Sequence, residues 1–520
     1  MRQGQFASPE SGIVRERRVP LGASISMSHF VHIDSVPGAT LRDRLFELGV
    51  EFPCGGTLRC GSCRVRVVSG NVPVTGEMRE ALLQTEIDQG WRLGCFANTD
   101  GPVTVEVEQW SAPVLTGHET LLAEPRDGCG IAIDLGTTTL AAQLVDLTSG
   151  EVLATETALN PQARHGADLM SRIGFDTAHP GILRGLIHES LGAMTSHLAG
   201  ERTVREVLLC GNTAMHHLFC GLSVEALAQA PFRTPYLAAE TFWATDLGWS
   251  VNVEGPVTFL PNIGGFVGSD ILAGLIACGL IRRPAVTAFA DLGTNGEVAI
   301  GSSSGILCAS TAAGPAFEAG RIRMGMRAGT GAIDRVDWRD GALHCGVIGG
   351  VAPRGLCGSG LVDAAAALVD AGLVLASGRM SGGVKELALA EGITLTQADI
   401  RELQLAKGAI AAGVLLLRDR LGVDRPASLH LAGAFGNYVR AQSAKRIGLL
   451  PDDSEVVAEG NAALRGARLL LLRPDSRGDL IAETLSHTEH VELGGEPAFQ
   501  DAFAACMRLS PLTWDGLEGM

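Results

Sequence analysis

The feature that most constrains this chain is a short sequence used twice. Residues 131–139 read IAIDLGTTT, an apolar run ending at Asp134 followed by a Gly136-Thr137-Thr138-Thr139 turn. A second apolar run, LAAQLVDL, and a Thr148-Ser149-Gly150 turn come next. This is the pattern of a β-hairpin whose turn is rich in hydroxyls and backbone N–H groups. Residues 288–297 read AFADLGTNGE, then VAIG, a Ser302-Ser303-Ser304-Gly305 turn and ILCAST. The copies share Asp-Leu-Gly-Thr, 157 residues apart. One Asp-Leu-Gly is a common strand-end turn, but two copies with matching hairpins imply two similar α/β lobes. Such a turn can cradle a phosphate through its N–H groups. Asp134 and Asp291, at the strand ends, suit a Mg²⁺ held through water. Two hairpins facing each other across a cleft would grip a triphosphate from both sides.

Ahead of the first hairpin the chemistry differs. Residues 53–65 read PCGGTLRCGSCRV, so Cys54, Cys60 and Cys63 have the spacing C-x5-C-x2-C, and Cys95 follows in WRLGCFA. A binuclear iron–sulfur cluster needs four converging thiolates. The loop around it must lack inward side chains and aim N–H groups at the sulfurs, which glycine permits. A four-cysteine zinc site is the alternative, but zinc favours two C-x2–4-C pairs, and only one is present. The other eight of the twelve cysteines are scattered in apolar surroundings and read as packing residues.

The remaining organisation follows from composition. Residues 1–27 carry Arg2, Arg15, Arg17 and Arg18 with no hydrophobic region or cleavage site after them, and read as a disordered arm rather than a signal peptide. Residues 28–110 form the cysteine-bearing domain. Residues 111–128, SAPVLTGHETLLAEPRDG, read as a linker, either one that lets a redox head sample several positions or one that is simply packed down. The lobes occupy 129–284 and 285–520. A net charge of −16 argues against nucleic acid as partner. No apolar run reaches the roughly 18–20 residues of a membrane span. Twelve cysteines without an export signal point to the cytoplasm.

Between and beyond the hairpins, Val207–Cys210 reads as a strand leading through Gly211-Asn212-Thr213 into a helix, and PNIGGFVGSD (261–270) leads into another. LHLAGAFGN (429–437) is a strand entering a Gly-rich turn, and GNAALRGARLLLL (460–472) is a helix with small residues on one side. Glu297, after the second turn, and Glu318, in AAGPAFEAG, are candidates to orient an attacking water. His216-His217 reads as packing, because adjacent helical residues diverge by about 100°. The arginines of RIRMGMRAG (321–329) could clamp phosphate or dock an acidic partner. Cys357, before a helix, would have its pKa lowered by the helix N-terminus, though close packing at this turn is the better explanation.

Residues 29–108 resemble plant- or adrenodoxin-type [2Fe–2S] ferredoxins, which implies a β-grasp fold with Cys54, Cys60, Cys63 and Cys95 as ligands. The order of motifs from residue 129 resembles the acetate and sugar kinase, heat-shock chaperone and actin superfamily. That implies a duplicated two-lobe, actin-like (ribonuclease H-like) ATPase. Its Mg-ATP would lie against Asp134, Gly136, Thr137, Thr138, Thr139, Asp291, Gly293, Thr294 and Asn295, with Gly433, Gly436 and Asn437 against the adenosine. The wording of GNTAMHHL, ADLGTNGEVAI, STAAGPAFEAGRIRMGMRAGTGAI and LAGAFGNYV is similar to that of the reductive activators of corrinoid proteins. The resemblance implies ATP-dependent transfer of one electron to the Co(II) of a corrinoid protein in a methyltransferase system, with an upstream electron donor. Larger members carry an extra domain between ferredoxin and ATPase; here about 20 residues separate them, and a homodimer stays open. Three other functions compete. One is an activator of acyl-CoA dehydratase type, which would lack a ferredoxin head. Another is a small-molecule kinase with a fused redox sensor. The third is a non-catalytic nucleotide-binding scaffold.

Overall fold

The computed structural model describes residues 29–34, 41–47, 50, 63–82, 84–99, 101–107, 117, 119, 121–166, 168–230, 232–293 and 295–515. The arm at 1–27, Cys54, Cys60 and Thr294 lie outside these residues. The N-terminal domain is a four-stranded sheet of β1 (His29–Ile33), β2 (Arg64–Ser69), β3 (Trp91–Leu93) and β4 (Val103–Val107), in the order β1-β4-β2-β3. Alternation along β4 buries Val103 and Val105 against Leu45, Val65, Met78 and Leu93, so this domain has a core of its own.

The first lobe holds β5 (Cys129–Leu135), β6 (Thr139–Asp146), β7 (Val152–Leu159), β8 (Val204–Gly211), β9 (Glu240–Phe242) and β10 (Val257–Phe259). The second opens with β11 (Thr287–Leu292), β12 (Gly296–Ser302) and β13 (Gly305–Thr311). A side sheet of β14 (Ala332–Arg339), β15 (Ala342–Val347) and β16 (Gly355–Leu356) and a hairpin of β17 (Glu386–Ala390) and β18 (Ile393–Thr396) follow. The main sheet is completed by β19 (Ser428–Ala432), β20 (Val456–Gly460) and β21 (Thr488–His490). The sheets run β7-β6-β5-β8-β10-β9 and β20-β19-β11-β12-β13-β21. Apart from one added edge strand each, they share a topology. An antiparallel three-strand meander is extended from its first strand by two parallel strands. The repeat in the sequence is therefore a repeat in the fold.

One helix crosses this division. Ala462–Leu471 follows the second lobe's sheet in sequence, yet Leu464, Ala467 and Leu470 pack with Ala132, Ala141 and Leu208 of the first lobe. It crosses Ser269–Ala277 so closely that a Cβ on Gly466 would stand 2.0 Å from the Ala273 carbonyl oxygen. Only glycine allows that approach. A charged network ties this pair of helices to the second sheet. Glu459 pairs with His430 and Arg465, and Arg465 reaches the Cys278 Sγ at 3.7 Å. The thiol, imidazole and carboxylate could together hold a metal ion, but the guanidinium already supplies the positive charge.

The expected linker is anchored over its later part. Glu124 N–H donates to the Leu472 carbonyl at 2.8 Å, and Arg126 pairs with Glu206. Arg468, fully buried, donates to the Gly117 carbonyl at 2.7 Å and pairs with Glu119 at 2.9 Å. Where it is described, at 117, 119 and 121–128, the segment is held by these bonds, which matches the packed-down form of the linker. Among the described residues no helix is long and apolar enough to cross a membrane.

Buried Lys407 marks how the C-terminal segment is fixed. It lies in the long helix Gln397–Leu421 and donates to the carbonyls of Ile447 (2.9 Å), Gly448 (3.0 Å) and Arg508 (2.7 Å). Three acceptors match the three N–H bonds of an ammonium. Burial pulls its pKa down to about 7, yet the geometry demands the charged form. Lys407→Met is expected to strand the three carbonyls and to cost about 3 kcal/mol of stability. A calorimetric melt will show this as a fall in Tm.

Candidate nucleotide cleft and iron–sulfur centre

The paired hairpins put their turns on opposite walls of one cleft. Asp134, Gly136, Thr137, Thr138 and Thr139 line one side, and Asp291, Gly293, Asn295, Glu297 and Glu318 the other. The first turn closes with Gly136 N–H on the Thr139 carbonyl at 3.1 Å. Asn212 Nδ2 donates to Thr137 Oγ1 at 2.9 Å, while Asn212 Oδ1 caps the helix Thr213–Cys220. Asn461 caps the crossing helix and donates from Nδ2 to Asp134 Oδ2 at 2.8 Å. A residue of the second half of the chain thus orients the first hairpin's aspartate.

The two hairpins differ in one respect that matters chemically. Asp134 sits opposite Ala141, whereas Asp291 sits opposite Glu297. Acids directly across a ladder repel. Asp270, in the first turn of Ser269–Ala277, joins them. Burial pushes Asp134 up to about 6. Burial, then the charge of Asp134, pushes Asp291 to about 7. Burial and then Asp291 take Asp270 to about 8. Glu297 lies well above the ordinary carboxylate range, through burial first and then Asp270 and Asp291; it accepts from Ser310 Oγ at 3.2 Å. Such acids at one cleft floor form a donor set of hard oxygens suited to a divalent cation. Glu318 stands apart: its Oε1 is 3.4 Å from Thr138 Oγ1, linking the walls at the phosphate turn.

Of the residues expected against the adenosine, Gly433 and Asn437 line the cleft and Gly436 does not. Gly433 has φ +85°, and a Cβ there would meet Asp291 Oδ1 at 2.6 Å. Asn437 fixes the loop, donating to the Gly433 carbonyl (3.0 Å) and accepting from Gly460 N–H (2.8 Å). Gly436 instead packs against Leu431.

Other expectations part ways. Arg323 turns to Glu386 at 2.8 Å, and none of the three arginines at 321–327 lines the cleft. Cys357 is buried, and burial raises its thiol against the helix-terminus effect. His216 and His217 are buried packing residues, lowered by burial to about 3 and about 4. The eight scattered cysteines are free and, except half-buried Cys345, buried. Sequence reasoning did not single out Asp270, Asn212 or Asn461 as cleft residues. The only signal was their place just before or within the first turn of a helix.

In the N-terminal domain, strand register erases a separation of 32 residues. Arg64 pairs with Leu93, and Gly94 N–H donates to the Cys63 carbonyl at 2.8 Å. Cys63 Sγ donates to Cys95 Sγ at 3.3 Å, with no disulfide between them. A disulfide would need about 2.05 Å. Two thiolates on one tetrahedral metal, with bonds of about 2.3 Å, stand roughly 3.8 Å apart. The pair therefore fits a shared iron.

Fold and site together define an actin-like, two-lobed nucleotide-binding ATPase that carries a ferredoxin-type electron-transfer domain. Family models described as "2Fe-2S iron-sulfur cluster binding domain", "RACo middle region" and "C-terminal domain of RACo the ASKHA domain" match residues 29–98, 129–283 and 285–516. The corrinoid activation enzyme RamQ of Eubacterium limosum is 36% identical over 413 residues, 72% of this chain and 69% of its own. The chain belongs to the family of reductive activators of corrinoid proteins. The [Co(II) methylated amine-specific corrinoid protein] reductase of Methanosarcina barkeri is 29% identical over 68% of this chain and 71% of its own. A solved reductive activator for a corrinoid iron–sulfur protein superposes with TM-score 0.67 and 27% identity, over 92% of this chain and 97% of that one. The cofactors are a [2Fe–2S] cluster, ATP and Mg²⁺.

Proposed function

We propose that this protein is an ATP-dependent reductase that passes one electron to the Co(II) of a corrinoid protein, restoring Co(I) for methyl transfer. The observation that carries the reading is the convergence of Cys63 and Cys95 in a domain joined to a nucleotide cleft. The bound [2Fe–2S] cluster supplies a one-electron donor. Cys63 and Cys95 would hold one iron, and Cys54 and Cys60 the other. Asp134 and Asp291, with Asp270 beside them, would hold Mg²⁺ through water. The N–H groups from Gly136 to Thr139 and the Gly293-Thr294-Asn295 turn would hold the phosphates, with Gly433 and Asn437 at the adenosine. Glu318 is better placed than Glu297 to orient a water, because it faces the phosphate turn while Glu297 is spent on the cleft floor. Each 59 mV of uphill one-electron transfer costs about 1.4 kcal/mol, and lobe closure on ATP would supply this. Each turnover leaves the domain oxidised, so an upstream donor must reduce it. The kinase reading gives way because the relatives are corrinoid activation and reductase enzymes.

The test is anaerobic. Cluster-loaded, reduced protein is mixed with a Co(II) corrinoid protein, and Co(I) is followed in the visible spectrum with and without Mg-ATP. Co(I) formed only with Mg-ATP is expected. No Co(I) with several corrinoid proteins, and ATP consumed when a small metabolite is added, would return the chain to the kinases.

A further inference from the structure

One loop, buried at Asn160 and Gln162, touches both the phosphate turn and the ferredoxin domain. Asn160 is fully buried, and two bonds hold the first turn from behind. Its N–H donates to the Thr138 carbonyl at 2.9 Å, and its Nδ2 to the Gly136 carbonyl at 2.9 Å. Its Oδ1 accepts from Gln162 N–H at 3.0 Å, capping the short helical turn Pro161–Arg164. On that turn Ala163 packs against the ferredoxin core. The loop is stiff. Gln162 and Arg172 are fully buried, Gln162 Nε2 donates to the Leu183 carbonyl at 3.1 Å, and Arg172 Nε to the Gly166 carbonyl at 2.9 Å. On the second lobe, Arg354 feels the charges of Glu106 and Arg66 on the ferredoxin sheet. The redox head therefore rests on the first lobe and lies within electrostatic reach of the second.

We infer that residues 160–164 transmit nucleotide occupancy to the seat of the ferredoxin domain, with Asn160 as the positioning residue. The direction follows from the bonds. An entering phosphate competes with Glu318 for Thr138 and draws the turn's N–H groups toward itself. That pulls the Gly136 and Thr138 carbonyls off Asn160 and shifts the turn that bears Ala163. A filled cleft and a seated head then disfavour each other, and this antagonism is reciprocal by linkage. Nothing in the family assignment requires it. It uses only nucleotide binding from the reading above.

The test uses the full chain with its cluster loaded and Mg-adenylyl imidodiphosphate, a non-hydrolysable ATP analogue. Hydrogen exchange of residues 91–107 is expected to speed up about fivefold or more on nucleotide binding. Ala163→Asp, outside the cleft, unseats the head and is expected to tighten nucleotide binding by a similar factor of about five or more, read by calorimetry. Asn160→Asp keeps the cap on Gln162 but loses the donor to Gly136, and is expected to abolish the exchange response. A merely structural role for Ala163 would not raise nucleotide affinity. Nucleotide that binds without changing ferredoxin exchange, or unchanged affinity in Ala163→Asp, overturns the inference. A wild-type chain that binds no nucleotide overturns the reading of the cleft, and this inference with it.

Discussion

Cys63→Ser is expected to abolish corrinoid reduction while ATP turnover by the two lobes continues. The basis is separability. Cys63 belongs to a domain with its own sheet and core, and among the described residues the nucleotide cleft draws none from that domain. A thiolate forms near neutral pH and is a soft ligand, whereas a serine hydroxyl stays protonated. Serine is nearly the size of cysteine, so the register pairing Arg64 with Leu93 is kept. Iron analysis and the visible spectrum report loss of the centre, Co(I) formation reports loss of reduction, and phosphate release reports that the lobes still work. Loss of ATP turnover together with reduction would show that the redox domain is needed for the cleft itself.

Asp291→Asn is expected to cut ATP turnover by roughly 100-fold, the scale on which preorganised electrostatic contacts act, and yet to stabilise the nucleotide-free protein. Asp134, Asp270 and Asp291 have folded pKa values of about 6, 8 and 7, all above the unfolded carboxylate. The folded state therefore binds more protons than the unfolded one across this range, and stability falls as pH rises from about 4 to 8. Removing the carboxylate at the centre of the repulsion relieves part of that loss. A gain on the order of 1 kcal/mol at pH 8, and little at pH 5, is expected. Thermal melts at both pH values without metal check the sign. Excess Mg²⁺ should flatten the wild-type difference, because a cation neutralises what protons neutralised before.

Local patterns exposed most of the architecture and only part of the site. The two hairpins were legible because each is a local alternation closed by its own turn. The relation between Cys63 and Cys95 was legible because iron–sulfur ligation leaves few alternative spacings. Asn461 was not, because it reaches Asp134 from 327 residues away, and no local period encodes a remote partner. The same holds for the anchoring of Gly117, whose carbonyl is filled by Arg468 and Gln143. Asp270 stood inside a quoted motif, but its carboxylate joins the others only through the packing of its helix. The superfamily resemblance put Gly433 and Gly436 together, yet only Gly433 lines the cleft, because Gly436 faces Leu431.

The anchoring of Gly117 also sets a geometric leash. Val107 ends the last ferredoxin strand, and Gly117 lies ten positions further along. At about 3.3–3.6 Å per residue, that length spans no more than roughly 35 Å. If the redox head leaves its seat it stays within that radius of a fixed post on the first lobe. Confinement to so small a sphere makes its return a high-concentration, intramolecular event. The visiting corrinoid protein must therefore come to a head held on this tether.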